Sequence, residues 1–286
     1  MFKVFSWRIV VAGLIVVVSL VGLGTACGSD SNDTAATTSE GTSSATSTVP
    51  TPGISEPVID DQFAVGADGR QLALLCYGEG SPMVFLEPGD DGTGSDDASL
   101  MGALAERTMT CTYDRTGFGG SDAPSKARRT LDDATGDVHA LIEAADLPLP
   151  LVHVGISGGG LIALYHATRY PDDVAGVVLV DVPQDDPKEG AKLFPGARAW
   201  RNAEHLDIVD ATRRVLRLPP LALEDIPLRV LTAADGGAAA EKNQMAWLEL
   251  SSDSHQTTLP GGHNLVEENT EGVLAEIRAI LDAIEG

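Results

Sequence analysis

The chain is short of positive charge and of cysteine. Only 19 Lys and Arg stand against 42 Asp and Glu over 286 residues, a formal charge of −23 at pH 7. So acidic a surface repels phosphates, which excludes nucleic acid as the expected partner. Three cysteines, Cys27, Cys76 and Cys111, are too few for a disulfide scaffold and lack the clustered spacing of a structural zinc site. There is no HExxH pattern, no His/Cys cluster and no glycine-rich nucleotide loop, so neither a metal nor a cofactor is expected. Hydrophobic residues still make up 43% of the chain, enough for a substantial core.

Long apolar runs are confined to the beginning. Lys3 and Arg8 precede the uncharged stretch Ile9 to Leu23, and small residues lead to Cys27, the layout of an export signal over residues 1–27. Gly24-Thr25-Ala26-Cys27 resembles a bacterial lipobox, with Leu23 four residues before the cysteine rather than three. The resemblance implies lipidation of Cys27 and attachment to the outer side of the cell membrane. Ordinary signal cleavage with secretion, or an uncleaved anchor, are the alternatives. Residues 28–57 are rich in Ser, Thr, Ala and Gly and read as a disordered tether. Anionic headgroups would repel the acidic domain beyond it, so the lipid rather than the protein surface is expected to hold the membrane.

From residue 58 to 286, β-rich runs alternate with amphipathic helical ones. Gln62–Val65 and Gln71–Tyr77 flank an Asp68-Gly69 hairpin signal. Met83–Leu86, Met109–Tyr113, Leu151–Ile156, Gly176–Val180 and Leu228–Thr232 follow as apolar strands, and Gln256–Leu259 as a weaker one. Helices are expected near Ser99–Arg107, after a capping box of Thr130 and Asp133, over Leu161–Tyr170 and over Gly272–Ile284. The pattern predicts an α/β fold: a mostly parallel sheet with helices on both faces. The stretch at about 182–226 is too long for a plain connection and suits a small lid. Cys76 lies near the end of one strand and Cys111 near the start of another. If those strands are antiparallel neighbours, a Cys76–Cys111 disulfide is open to them; two buried thiols are the other reading.

Chemistry centres on Gly155-Ile156-Ser157-Gly158-Gly159, a G-x-S-x-G pattern between a predicted strand and a predicted helix, where a sharp turn would expose the serine. With Tyr113-Asp114-Arg115-Thr116-Gly117-Phe118-Gly119-Gly120-Ser121 after the fourth strand and Gly261-Gly262-His263-Asn264 near the end, the chain resembles the α/β-hydrolase superfamily, in its branch of small serine hydrolases and esterases. It departs from that pattern at Ile156 and at Glu87-Pro88-Gly89-Asp90, where a His-Gly pair is common.

The resemblance implies a serine hydrolase acting on small-molecule carboxylic esters, with Ser157 as nucleophile and His263 as base. A peptidase or amidase of the same fold, or a non-catalytic surface-binding lipoprotein, are the alternatives. The acid partner of His263 is expected to be Asp235, after the seventh strand, with Asp181 at the end of the sixth as the alternative. Backbone N–H groups of Gly158 and Asp90 are expected to stabilise an oxyanion; the carboxylates of Asp90 and Asp91 would oppose it, so either they turn away or the loop is placed otherwise. Asp114 and Arg115 are expected to pair with each other. His139, His153 and His166 fall inside helices and a strand and read as structural.

Overall fold

A computed structural model describes residues 56–90, 92–182, 184 and 201–286. The expected leader, most of the tether, lipidation at Cys27, Asp91 and residues 185–200 of the expected lid lie outside them.

In chain order the elements are β1 (Ile59–Val65), β2 (Arg70–Tyr77), β3 (Met83–Glu87), α1 (Ala98–Ala105), β4 (Thr110–Tyr113), α2 (Leu131–Ala144), β5 (Leu151–Ile156), α3 (Gly159–Arg169), β6 (Val174–Val180), α4 (Ile208–Val215), β7 (Leu228–Ala233), α5 (Gly237–Gln244), β8 (Ser254–Leu259), α6 (Leu265–Glu268) and α7 (Thr270–Glu285). The strands form one sheet in the order β1-β2-β4-β3-β5-β6-β7-β8. β2 runs antiparallel to both its neighbours, and every pair from β4 to β8 is parallel.

The apolar strands β3, β5 and β6 are buried along nearly their whole length because helices cover both faces. Leu141 and Ile142 of α2 and Leu164 of α3 pack with Phe85, Leu151 and Val177 on one face. On the other, Leu100 and Leu104 of α1 and Val273, Ile277 and Leu281 of α7 pack with Val84, Val154 and Val178. At the open edge β8 is largely polar and half-exposed, which explains its faint apolar signal. The α2 N-terminus carries the expected capping box: the Asp133 N–H donates to Thr130 Oγ1 at 3.3 Å and the Thr130 N–H to Asp133 Oδ2 at 2.9 Å.

Cys76 and Cys111 face each other across the antiparallel β2–β4 pair and are joined as a disulfide. The described part of the expected lid contributes α4, which packs against α2 and α3, and a bridge from Leu206 to Arg129. Among the described residues no helix is long and apolar enough to cross a membrane.

From β3 the chain crosses to β4 on one side, then returns to β5 on the other. Such a switch opens a crevice beyond the carboxyl ends of these two strands, where ligands of doubly wound sheets bind. The loop after β3 holds Asp90, and the turn after β5 holds Ser157.

Candidate active site

The turn between β5 and α3 is tight enough to place Ser157 at φ +48°, a left-handed backbone that a serine adopts only when its surroundings enforce it. Its N–H donates to the Val180 carbonyl at 2.9 Å. Two glycines make the turn sterically possible: a side chain at Gly155 would collide with the backbone of Gly160, and one at Gly159 with the Glu87 and Pro88 carbonyls. The helix therefore starts directly against the strand ends, with Ser157 at the crevice.

His263 enters from the loop after β8. The neighbouring Gly262 N–H is held by Glu268 Oε2 at 2.6 Å. Ser157 Oγ lies 2.8 Å from His263 Nε2, and His263 Nδ1 lies 2.7 Å from Asp181 Oδ2. The carboxylate on the ring is thus Asp181, not the favoured Asp235. Asp235 sits on an exposed turn whose N–H is tied to the Gly261 carbonyl at 3.0 Å, and among the described residues it makes no hydrogen bond to His263. Asp181 leaves β6 at φ +46° and is buried. Its Oδ1 accepts from the Ala233 N–H at 3.0 Å and Gln244 Nε2 at 2.7 Å, so its free oxygen is aimed at the ring. Gln244 ends α5, a helix the sequence did not announce, and nothing in the sequence pattern marked its role.

The hydrogen bond to Asp181 raises the His263 pKa above its ordinary value, burial opposing. For Asp181 burial acts upward, but the bonds from His263, Ala233 and Gln244 outweigh it and hold the carboxyl below its usual range. An imidazole with a carboxylate on one nitrogen and a hydroxyl on the other can take the hydroxyl proton through Nε2 while Nδ1 keeps its own.

A cleft of about 350 Å³ opens at Ser157 and His263, bounded also by Gly89, Asp90, Thr93 and Ile156. Among the described residues the N–H groups of Gly158 and Asp90 donate to no other group. Of the two arrangements open to the Asp90 carboxylate, turning away is not the one seen: it lies against Gly158, where a side chain at 158 would run into Oδ1. The expectation rested on charge repulsion alone, and the close backbone approach at glycine 158 leaves room for the side chain there.

Beneath the turn lies a buried charge cluster. Glu87, beside Gly155 in the β3–β5 register, accepts from the Tyr113 hydroxyl at 2.9 and 3.1 Å. Arg115 lies 3.6 Å from Glu87 and 3.2 Å from Glu204, and donates to the Pro88 carbonyl. Burial pushes Glu87 up to about 7 against the pull of Arg115 and Tyr113. Arg115 therefore ties the Asp90 loop to the segment before α4. It does not pair with Asp114, which instead accepts from the N–H groups of Gly94 and Gly120 at 3.2 and 2.8 Å and so shapes its own loop. Among the described residues one cluster of three metal-competent side chains occurs, His139, His166 and Asp173, towards the far end of α3 from Ser157.

Comparison with known proteins bears on the fold and the family. Over 155 residues the chain is 29% identical to a protein of Klebsiella pneumoniae named as a carbamate hydrolase, covering 51% of this chain and 58% of that one. Over 117 residues it is 36% identical to a non-heme chloroperoxidase of Streptomyces lividans, 40% of this chain and 42% of the other. The match thus spans only about half the length of these curated relatives. Among solved structures, the enol-lactonase of Burkholderia xenovorans superposes with a TM-score of 0.62 at 18% identity, over 78% of this chain and all of the other. An esterase of Thermogutta terrifontis gives 0.59 at 19%, over 80% of this chain and all of the other. These two show likeness of fold. The model of the alpha/beta hydrolase fold family matches residues 82–253, more than half of the chain, and the protein belongs to that family.

Proposed function

We propose that the protein is a serine hydrolase of carboxylic esters, with Ser157, His263 and Asp181 as its catalytic triad. One observation carries the reading: the unbroken hydrogen-bonded chain from Ser157 Oγ through both His263 nitrogens to Asp181, at 2.8 and 2.7 Å. Ser157 Oγ attacks the ester carbonyl carbon as His263 Nε2 takes its proton. The carbonyl oxygen gains negative charge and turns to the N–H groups of Gly158 and Asp90. Collapse breaks the bond to the alcohol oxygen, which leaves with the proton from His263. Water then attacks the acyl-serine by the same route, releasing the acid and restoring Ser157.

Esters are placed before amides because their alkoxide leaving group departs more readily than an amine from the tetrahedral intermediate, so they ask less of the Ser157–His263–Asp181 unit. The test is hydrolysis of p-nitrophenyl esters of graded chain length. The parent should turn them over with an initial burst, and Ser157→Ala should abolish both burst and turnover. Comparable turnover by Ser157→Ala would sink the reading, and cleavage of anilides in preference to esters would move the substrate class to amides.

For location, the proposal is export with a lipid on Cys27, supported by the leader-like run before it. Labelled palmitate should enter the parent in a bacterial host and be absent from Cys27→Ser. Equal labelling of the two would reject the anchor.

A further inference from the structure

His166 is buried in α3, and neither of its ring nitrogens has a hydrogen-bond partner. Such an orphaned imidazole is costly and asks what the ring is there to meet. A buried imidazole nitrogen with no hydrogen-bond partner has a lone pair free to bind a metal.

The side chains around it are those a metal would need. His139, one helix over on α2, has Nδ1 2.9 Å from Asp173 Oδ2, and His166 Nε2 lies 4.0 Å from the same oxygen. One ligand atom from each of the three residues lies within 4.8 Å of the others. Ligands of a tetrahedral zinc ion stand about 3.4 Å apart, given metal–nitrogen bonds of about 2.0–2.1 Å. The two measured gaps fall on either side of that value and all three ligand atoms lie within 4.8 Å of one another, so side-chain shifts of about an ångström would bring the set onto one ion. The second nitrogen of His139 has a carboxylate near it: Glu143 Oε1, one helical turn on, stands 3.6 Å from Nε2, just outside hydrogen-bond reach and placed to close into the carboxylate–histidine arrangement that orients metal-bound imidazoles. The Tyr170 ring stacks on His139 at 3.7 Å and fixes its plane. His153 stands edge-on to His166 at 5.1 Å but faces Glu87, and belongs to the cluster under the nucleophile.

We propose that His139 Nδ1, His166 Nε2 and Asp173 Oδ2 form a Zn²⁺ site whose fourth position is taken by water, with Glu143 as the outer partner of His139. Two imidazoles and one carboxylate suit zinc, whereas calcium and magnesium take oxygen ligands. The ion would join α2, α3 and the approach to β6. Those elements carry Ser157 at one end of α3 and Asp181 at the far end of β6, so the site would brace the scaffold without touching substrate.

The test uses the full chain, stripped with chelator and titrated with Zn²⁺, and separately with Co²⁺ as a visible-absorbing substitute. Parent protein should bind one ion per chain, give the intense bands of tetrahedral cobalt, and melt at higher temperature with zinc. His139→Ala, whose side chain is partly exposed and whose fold is checked by circular dichroism, should lose all three. Glu143→Gln should weaken binding about 10-fold. His263→Ala should bind zinc like the parent, which separates this site from the active-site histidine. No binding by the parent, or binding lost in His263→Ala and kept in His139→Ala, would overturn the proposal.

Discussion

Replacing Asp181 by Asn changes one oxygen to an amide group, yet the surroundings decide which way that amide must face. Asp181 Oδ1 accepts two hydrogen bonds, from the Ala233 N–H and from Gln244 Nε2. Only a carbonyl oxygen can accept there, so the new NH₂ is forced into the position of Oδ2, against His263 Nδ1. A donor facing Nδ1 requires that nitrogen to be unprotonated, which places the ring proton on Nε2. The nitrogen 2.8 Å from Ser157 Oγ is then no longer a proton acceptor. A wrong tautomer of this kind costs about 10⁴ in kcat, which corresponds to about 5 kcal/mol of transition-state stabilisation. The fold should survive because the packing volume is unchanged.

Steady-state hydrolysis of a p-nitrophenyl ester across pH reads the outcome, with Asp235→Asn as the parallel variant. Asp181→Asn should lose roughly three to four orders of magnitude in kcat. Whatever rate survives should rise with pH at lower pH than in the parent, because the bond to Asp181 is what raises the His263 pKa and the base works only when neutral. Asp235→Asn should stay within about threefold of the parent, its side chain being exposed and unbonded to the ring. The opposite ranking, collapse in Asp235→Asn and near-parental activity in Asp181→Asn, would refute this reasoning.

Other consequences follow from neighbouring groups. Unfolded chain releases the Glu87 proton near the ordinary glutamate value, whereas the folded protein holds it to about 7; the folded state therefore binds more protons between those values. Stability measured by urea unfolding should fall by up to about 3 kcal/mol between pH 5 and pH 8 through this group, and Glu87→Gln should flatten that part of the profile. The Asp90 carboxylate lies against Gly158, whose amide is proposed to receive the oxyanion, so Asp90→Asn should raise kcat/KM for a neutral ester several-fold; a fall would mean the carboxylate assists. The Cys76–Cys111 disulfide closes a loop of 35 residues, and replacing both cysteines with Ala should lower unfolding free energy by up to about 4 kcal/mol, read from the denaturation midpoint.

Much of the fold was legible because its signals are local. Strands buried on both faces must be apolar, so β3, β5, β6 and β7 announce themselves, and the Thr130–Asp133 cap marks a helix start by its own hydrogen bonds. The serine turn was equally visible, since small residues at 155, 158 and 159 are needed where α3 meets the strand ends. What escaped depends on contacts made at a distance. Gly-Ala-Ala-Ala-Glu-Lys-Asn-Gln at α5 has no apolar period, yet it brings Gln244 onto Asp181. Both Asp181 and Asp235 follow a strand and lie between Ser157 and His263 in sequence, so chain order cannot choose between them. The choice is made by Gln244, the Ala233 N–H and the left-handed backbone at Asp181. Likewise the pairing of Arg115 with Glu87 and Glu204, rather than with the adjacent Asp114, comes from strand register and from a residue 89 positions away.

The most direct test of Ser157 as an activated nucleophile is mass spectrometry after treatment with a fluorophosphonate probe at neutral pH. The parent should gain one covalent adduct, located on the peptide carrying Ser157. Ser157→Ala should gain none, and His263→Ala should react far more slowly while remaining folded. An unlabelled but folded parent, or an adduct that persists in Ser157→Ala, would contradict the assignment.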